Sequence, residues 1–297
     1  MHNLWKLCAS LYVPATHRDL AAIANGHKLH GMLSVIFCTE DAVAPDDLEP
    51  ALKNLATCLL QMNSDGGLLR FVRVRDAAIL EKILAMPGVE KLDGFVFPKI
   101  TLANLEPYFQ PLAGTRFLGM PTLETAEVFD ARNMMELRDH LLASVYRDRI
   151  PVLRIGGNDL LSILGIRRPL DMTIYRTPLN HTIAQLVTIF KPHGFHLTAP
   201  VFEHIERPDI LVQEIVEDIA HGLCGKTAIH PSQVPLIESH YRVSPEDINV
   251  ARRILEDGRA VFKHGGSMCE TATHGAWARG VIEYASHRDF EMSVSRP

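Results

Sequence analysis

The chain has 297 residues, 47% of them hydrophobic and 22% charged, enough for one large α/β domain plus an appendage. Its formal net charge of -5, with no run of like charges, argues against nucleic-acid binding, which needs a basic surface to neutralise phosphates. No stretch reaches the ~18 uninterrupted apolar residues of a membrane span, and the N-terminus lacks the layout of a signal peptide. A soluble cytoplasmic protein is therefore expected.

Strand-like and helix-like segments alternate from the start. KLCASLYVPAT (residues 6–16) reads as a strand and HRDLAAIANG as its helix, stopped by Gly26. MLSVIFCTE (32–40) is the second strand, ending in Glu40 with Asp41 next. In the helix LEPALKNLATCLLQM, the residues Leu48, Leu52, Leu55, Leu59 and Met62 recur at helical spacing and would face the sheet. LLRFVRVR (68–75) is the third strand, carrying Arg73 and Arg75, and AAILEKILAMPG follows it. DGFVFPK (93–99) ends in Lys99, with Thr101 as the expected N-cap of the next helix. RFLGMPTLET (116–125) ends in Glu124, ahead of the helical MMELRDHLLASVY.

The sixth segment, IPVLRIGGNDLL (150–161), is a short apolar run that breaks into two glycines and an acid. It predicts a buried strand ending at Asp159, where Gly156 and Gly157 let the backbone turn sharply and leave space beside it. HTIAQLVTIFKPHG (181–194) is its helix. FHLTAPVFE (195–203) and KTAIHP (226–231) are the last two strands, separated by the helical DILVQEIVEDIAHG. Eight βα units with short connections predict a parallel sheet closed into a (β/α)8 TIM barrel over residues 1–243. Beyond it, 244–297 forms a C-terminal helical extension. Ser244 is its N-cap with Asp247 three residues on, and a break at HGGSM precedes the last helix, THGAWARGVIEYA.

In such a barrel, functional groups come from the C-terminal ends of strands and the loops after them. Glu40, Asp41, Arg73, Lys99, Glu124, Asp159, Glu203 and His230 all fall there. Any one alone would read as a solvated loop residue; their shared placement carries the inference. Glu124 and Asp159 follow apolar strands, where unpaired carboxylates repel and are costly to desolvate, so a cation between them is expected. Oxygen donors without a nearby His/Cys set favour Mg2+ over Zn2+. Arg73 offers a planar fork for a substrate carboxylate. The cysteines Cys8, Cys38, Cys58, Cys224 and Cys269 are widely spaced and read as reduced thiols.

The strings SLYVPA, VIFCTEDAV, FVRVRD, FPK, PTLET, RIGGNDL, GKTAIHPSQV and GGSMCET occur in the order expected for the HpcH/HpaI aldolase and citrate lyase β-subunit family, which the chain resembles over nearly its whole length. The resemblance implies a Mg2+-binding TIM barrel that cleaves or forms C–C bonds beside a carbonyl, acting on a small carboxylate or acyl thioester. It implies Glu124 and Asp159 as metal ligands and Arg73 as the substrate arginine. Glu270 stands where relatives carry an aspartate that reaches a neighbouring subunit's site, so a homotrimer or a multiple of one is expected. Glu40 and Asp41 match the family, but Cys38 replaces its first acid and Arg75 its usual amide. With Arg167 and Arg168 after strand six, Arg75 suggests a more anionic ligand than a simple malyl thioester, and Lys99 is a further candidate for binding substrate. The alternatives are a thioester hydrolase or synthase on the same scaffold, and a non-catalytic metabolite-binding accessory subunit. GKT at 225–227 is no phosphate-binding loop, because Ala220 stands where that motif needs glycine.

Overall fold

In the computed structural model, residues 4–64 and 67–294 are described. They divide into two compact units, one of Lys6–His240 and a second that begins at Tyr241 and also takes in Trp5. The first unit holds eight parallel strands in the order β7-β6-β5-β4-β3-β2-β1-β8, a nearly closed TIM barrel. Its strands are β1 (Ala9–Pro14), β2 (Ser34–Cys38), β3 (Leu69–Arg73), β4 (Gly94–Phe97), β5 (Leu118–Leu123), β6 (Leu153–Ile155), β7 (Leu197–Thr198) and β8 (Lys226–Ala228). All of β2 and β4 is buried, as expected of parallel strands covered on both faces. The intervening helices are α1 (Leu20–Ala24), α2 (Leu48–Gln61), α3 (Ala77–Leu84), α4 (Leu105–Phe109), α5 (Ala131–Ala143), α6 (Gly157–Ile163), α7 (Leu179–Phe190), α8 (Pro208–Ala220) and α9 (Gln233–His240).

The predicted apolar stripe of α2 is present: Leu52, Leu55 and Leu59 are buried, joined by Ala51 and Cys58. Asp76 caps α3, accepting from the Ile79 amide at 2.9 Å. Thr101 is not the cap expected of it. Its amide donates to Asn104 Oδ1 at 2.9 Å, and α4 begins only at Leu105.

The sixth segment differs most from its expectation. Strand β6 ends at Ile155, and Asp159 stands in the first turn of α6 rather than on the strand. The glycines are required for space rather than for a left-handed backbone, since neither Gly156 nor Gly157 has a positive φ. A Cβ on Gly156 would lie 2.0 Å from Glu124 Oε2, and one on Gly157 2.7 Å from Pro200 Cβ.

Strand β7 is only two residues long, and the barrel closes there through an isolated parallel bridge between Ala199 and Lys226. Beside it lies a buried charge network. Lys226 Nζ meets Glu214 Oε1 at 2.8 Å and Asp218 Oδ2 at 2.9 Å, while Arg168 donates to both Glu214 oxygens. Tyr175 OH donates to Asp218 Oδ1 at 2.6 Å. Each group is matched, so desolvation is offset by pairing, and removal of one partner would strand a buried charge. Arg168 is thus committed to the fold, contrary to its expected place at the ligand.

The second unit contains α10 (Pro245–Glu256), β9 (Val261–His264), β10 (Ser267–Glu270) and α11 (Thr271–Val294). Ser244 caps α10 as expected, accepting from the Asp247 amide at 3.0 Å. The expected break at HGGSM is instead an antiparallel hairpin, turned by Gly265 and Gly266 at φ of 55° and 84°. Ala251, Ile254, Phe262, Cys269 and Ala278 form its core.

Candidate active site

Strands β3 and β6, the loops after β2 and β5 and the first turn of α6 bring charged groups to one cavity of about 280 Å3, lined among others by Asp41, Arg73, Glu124, Arg154 and Asp159. Arg73, the last residue of β3, is only 9% exposed and is held from three sides. Its Nε and one terminal nitrogen both lie 3.2 Å from Cys38 Sγ. The other terminal nitrogen meets Glu40 Oε2 at 3.1 Å and Asp41 Oδ2 at 3.2 Å, and the guanidinium carbon stands 4.7 Å from the Tyr12 ring centre. Cys38 thus carries the fork of Arg73 on its sulfur.

Lys99 follows β4 in a left-handed conformation, φ 52°, rare for a side chain with a Cβ and typical of functional sites that store strain. This bend turns its amide onto Glu124 Oε1 at 2.8 Å. Its ammonium lies among three carboxylates, 2.5 Å from Glu40 Oε1, 3.5 Å from Asp41 Oδ1 and 3.6 Å from Asp159 Oδ1. Burial alone would lower the Lys99 ammonium, but the charges of Glu40, Asp159 and Asp41 hold it above its usual value.

The acids are split by their surroundings. Burial pushes Glu124 up to about 7, and the neighbouring Asp159 charge adds to the rise; the Lys99 amide and the Arg73 and Lys99 charges oppose it. Asp159 is raised too, chiefly by burial, against the pull of Lys99. Glu40 is raised by burial although Arg73 and Lys99 oppose it, whereas Asp41, also partly buried, is lowered by its hydrogen bond with Glu40 and by both cations. The Asp41 amide also donates to Glu40 Oε2 at 3.0 Å, which ties the two acids together.

Other expected residues take supporting positions. Arg75 donates to three carbonyls of the loop after β2, those of Thr39, Glu40 and Val43, at 3.2, 3.2 and 2.6 Å. It clamps the loop that carries Glu40 and Asp41 and is not presented to a ligand. Arg167 is exposed beside a shallow depression next to Ser162 and Glu203, outside the central cavity. Gln233 braces the turn after β8, accepting from the Ile229 amide and donating to the Phe202 carbonyl. His230 is exposed against Ser232. Glu270 ends β10 in the second unit, where its carboxylate accepts from Thr273 Oγ1 at 2.9 Å. Lys226 of the GKT string is enclosed by Glu214 and Asp218, which disposes of a phosphate-loop role. All five cysteines are free thiols.

Two cavity residues had no sequence signal attached to them. Arg154 and Thr122 sit inside β6 and β5, neighbours in register, and both line the cavity.

The model of a family described as C–C bond lyases of the TIM-barrel fold matches residues 1–288. The chain belongs to that family. Its fold neighbours are citrate lyase β subunits and CitE proteins. CitE from Mycobacterium tuberculosis, solved with magnesium, acetoacetate and coenzyme A, superposes with a TM-score of 0.70 at 22% identity, covering 94% of this chain and 97% of that one. RipC from Yersinia pestis gives 0.63 at 20% identity over 82% of this chain and 99% of its own. A curated relative, the (3S)-malyl-CoA thioesterase of Cereibacter sphaeroides strain ATCC 17023, is 26% identical over 267 residues, 89% of this chain and 87% of that protein. The structural likenesses, at 20–22% identity, show a shared fold. Among the described residues, no helix is long and apolar enough to cross a membrane.

Proposed function

We propose that this enzyme is a magnesium-dependent lyase that breaks a C–C bond beside a carbonyl in a short hydroxy acid or its acyl thioester. The observation that carries the reading is the convergence of Glu124 and Asp159 on one cavity with Arg73, the Glu124 carboxyl being pushed up to about 7 by burial and by the neighbouring Asp159 charge. Hard oxygen donors that repel each other fit a divalent cation. Magnesium keeps several waters and takes substrate oxygens, so two carboxylates suffice to hold it. Glu124 and Asp159 would hold the ion, and when bound it supplies positive charge that polarises a carbonyl oxygen. The magnesium, acetoacetate and coenzyme A named in the CitE structure support this choice.

The chain's own groups supply the rest. Arg73, fixed by Cys38, Glu40 and Tyr12, presents a permanent charge to the substrate carboxylate or to the oxygen on which negative charge develops as the bond breaks. Lys99 adds a second cation at the same mouth and orients Glu124 through its amide. The half-exposed Asp41 carboxylate, next to Glu40, takes up the hydroxyl proton and returns one to the departing fragment. Glu270 of a neighbouring copy is proposed as a further acid/base, in a homotrimer or a multiple of one.

A second reading, hydrolysis of an acyl thioester on the same scaffold, is favoured by the thioesterase name of the curated relatives. Product analysis separates the two. Hydroxy acids and their thioesters are incubated with and without Mg2+, and fragments of shortened carbon chain identify the lyase, while free thiol with an intact acid identifies the hydrolase. Turnover of either kind that survives Asp159→Asn in chelator would overturn the metal-dependent scheme.

A further inference from the structure

The cavity wall carries a hydroxyl that the proposed reaction leaves unused. Tyr12 stands within β1 between the buried Leu11 and Val13, is itself half-buried, and lines the same cavity as Arg73, Glu124 and Asp159. Two cations meet its ring: the guanidinium carbons of Arg73 and Arg154 lie 4.7 and 5.7 Å from its centre, both within reach of a cation–π attraction. A phenylalanine would offer the same stacking and fill the same space, so the ring does not account for the hydroxyl. Inward-turned tyrosines usually donate to a protein acceptor, as Tyr175 does to Asp218 Oδ1 at 2.6 Å. Among the described residues, no group hydrogen-bonds the hydroxyl of Tyr12.

The surroundings keep this group in the form that can donate. Burial holds the Tyr12 phenol above its ordinary value against the opposing charges of Arg154 and Arg73, so at neutral pH the proton stays on oxygen. The Glu124 charge is also felt at the phenol, which sets the hydroxyl in the field of the carboxylate proposed to hold the ion. An unpaired hydroxyl on a cavity wall, beside two permanent cations, suits a ligand oxygen that carries negative charge. A neutral donor fixed there before any charge develops gains most when that oxygen becomes an enolate, because the hydrogen bond strengthens as the charge grows.

We infer that Tyr12 is a catalytic residue whose hydroxyl donates a hydrogen bond to the oxygen on which negative charge gathers as the C–C bond breaks. No proton leaves the phenol. The electron pair of the breaking bond passes into the enolate, its charge comes to rest on the former carbonyl oxygen, and Tyr12 and Arg73 stabilise it there together. The inference rests on the enolate chemistry proposed above and adds a neutral donor to its charged groups.

The test titrates wild type and Tyr12→Phe with oxalate, a planar dianion with the shape and charge of the enolate of pyruvate, and with pyruvate itself, by calorimetry with Mg2+ present. Y12F keeps the ring and its stacking and removes only the hydroxyl. It is expected to weaken oxalate roughly tenfold while pyruvate changes by less than about twofold, and to lower kcat for cleavage roughly 100-fold with KM little changed. Placing 3-fluorotyrosine at position 12, a stronger donor, should tighten oxalate binding by roughly twofold or more. Oxalate affinity unchanged in Y12F overturns the assignment, as does an equal loss for both acids, which marks a packing role, or a wild type that binds neither. If Y12F does not fold, the fluorotyrosine enzyme decides, and unchanged or weaker oxalate binding overturns the assignment. Oxalate affinity lost in Y12F, with no acid or thioester cleaved by the wild type, would sink the lyase proposal and leave the hydrogen bond standing; cleavage by Y12F at the wild-type rate would do the reverse.

Discussion

Glu124 shows how a single side chain can be set against the stability of its own fold. Its carboxyl is pushed up to about 7 in the folded chain from an ordinary 4.5, so the folded state holds this proton more tightly than the unfolded state does. Its contribution to stability is complete below the unfolded pKa and is lost as pH rises through about 7. By linkage, the ionised group costs the metal-free protein on the order of 2 to 3 kcal/mol at pH 8. Glu124→Gln should therefore melt above the wild type at pH 8 in chelator, and the advantage should shrink toward pH 5. With saturating Mg2+ the order should reverse, because only the wild type gains a ligand. A variant that melts lower at every pH would contradict the account. Gly156 makes the complementary case. A Cβ there would stand 2.0 Å from Glu124 Oε2 and 2.4 Å from its Cβ, so Gly156→Ala must displace the carboxylate. Turnover should fall by roughly 100-fold, as for the loss of one well-placed charge-stabilising group. Helix content by circular dichroism should be unchanged; an active G156A enzyme would mean that Glu124 need not sit where it does.

At the scale of elements, the site depends on loops being held still, and Arg75 shows the means. Its three bonds to the carbonyls of Thr39, Glu40 and Val43 fix the segment between β2 and α2. Arg75→Met leaves those carbonyls without their donor and should cost about 1 to 3 kcal/mol of stability. It should also lower kcat and shift the limb of the pH profile set by Glu40 and Asp41, with only partial rescue by Arg75→Lys; an unchanged pH profile would leave Arg75 a purely structural role. The sequence made the order of barrel elements readable because buried parallel strands are nearly continuous apolar runs between glycines and prolines. It also made Arg73, Glu124 and Asp159 readable, since each falls at or just past a strand end. Boundaries were less legible. Gly156 and Gly157 conceal the start of α6, although buried Leu160 and Leu161 lie three and four residues beyond Gly157, at helical spacing. Helix α9 carries Pro235 and no clear apolar stripe, and the Gly265–Gly266 turn carried a hairpin signature that reads equally as a break. Arg168 and Arg154 escaped for a different reason. A lone arginine in or beside an apolar run looks solvent-directed, and only closure of the barrel decides what surrounds it.

For the whole molecule, the open matter is where Glu270 acts. It ends β10 in the second unit, whose large apolar side chains Val261, Met268 and Trp277 are exposed, as suits a surface that meets another copy. If Glu270 serves the barrel of a neighbouring subunit, two inactive chains can repair each other. In Glu124→Gln the barrel site is dead but the chain can still donate Glu270; in Glu270→Gln the barrel is intact but its own carboxylate is gone. When equal amounts are dissociated and reassembled at random in a symmetric oligomer, a working site needs an E270Q barrel, half of all barrels, served by an E124Q donor, half of all donors. Activity should return to roughly a quarter of the wild-type value. Recovery should follow subunit exchange by light scattering and fail when the assembly is kept from dissociating. If Glu270 serves its own barrel, every mixed assembly contains only sites lacking one of the two groups, and activity stays at the level of the separate variants. A monomer that retains full activity in solution would likewise remove Glu270 from any neighbour's chemistry.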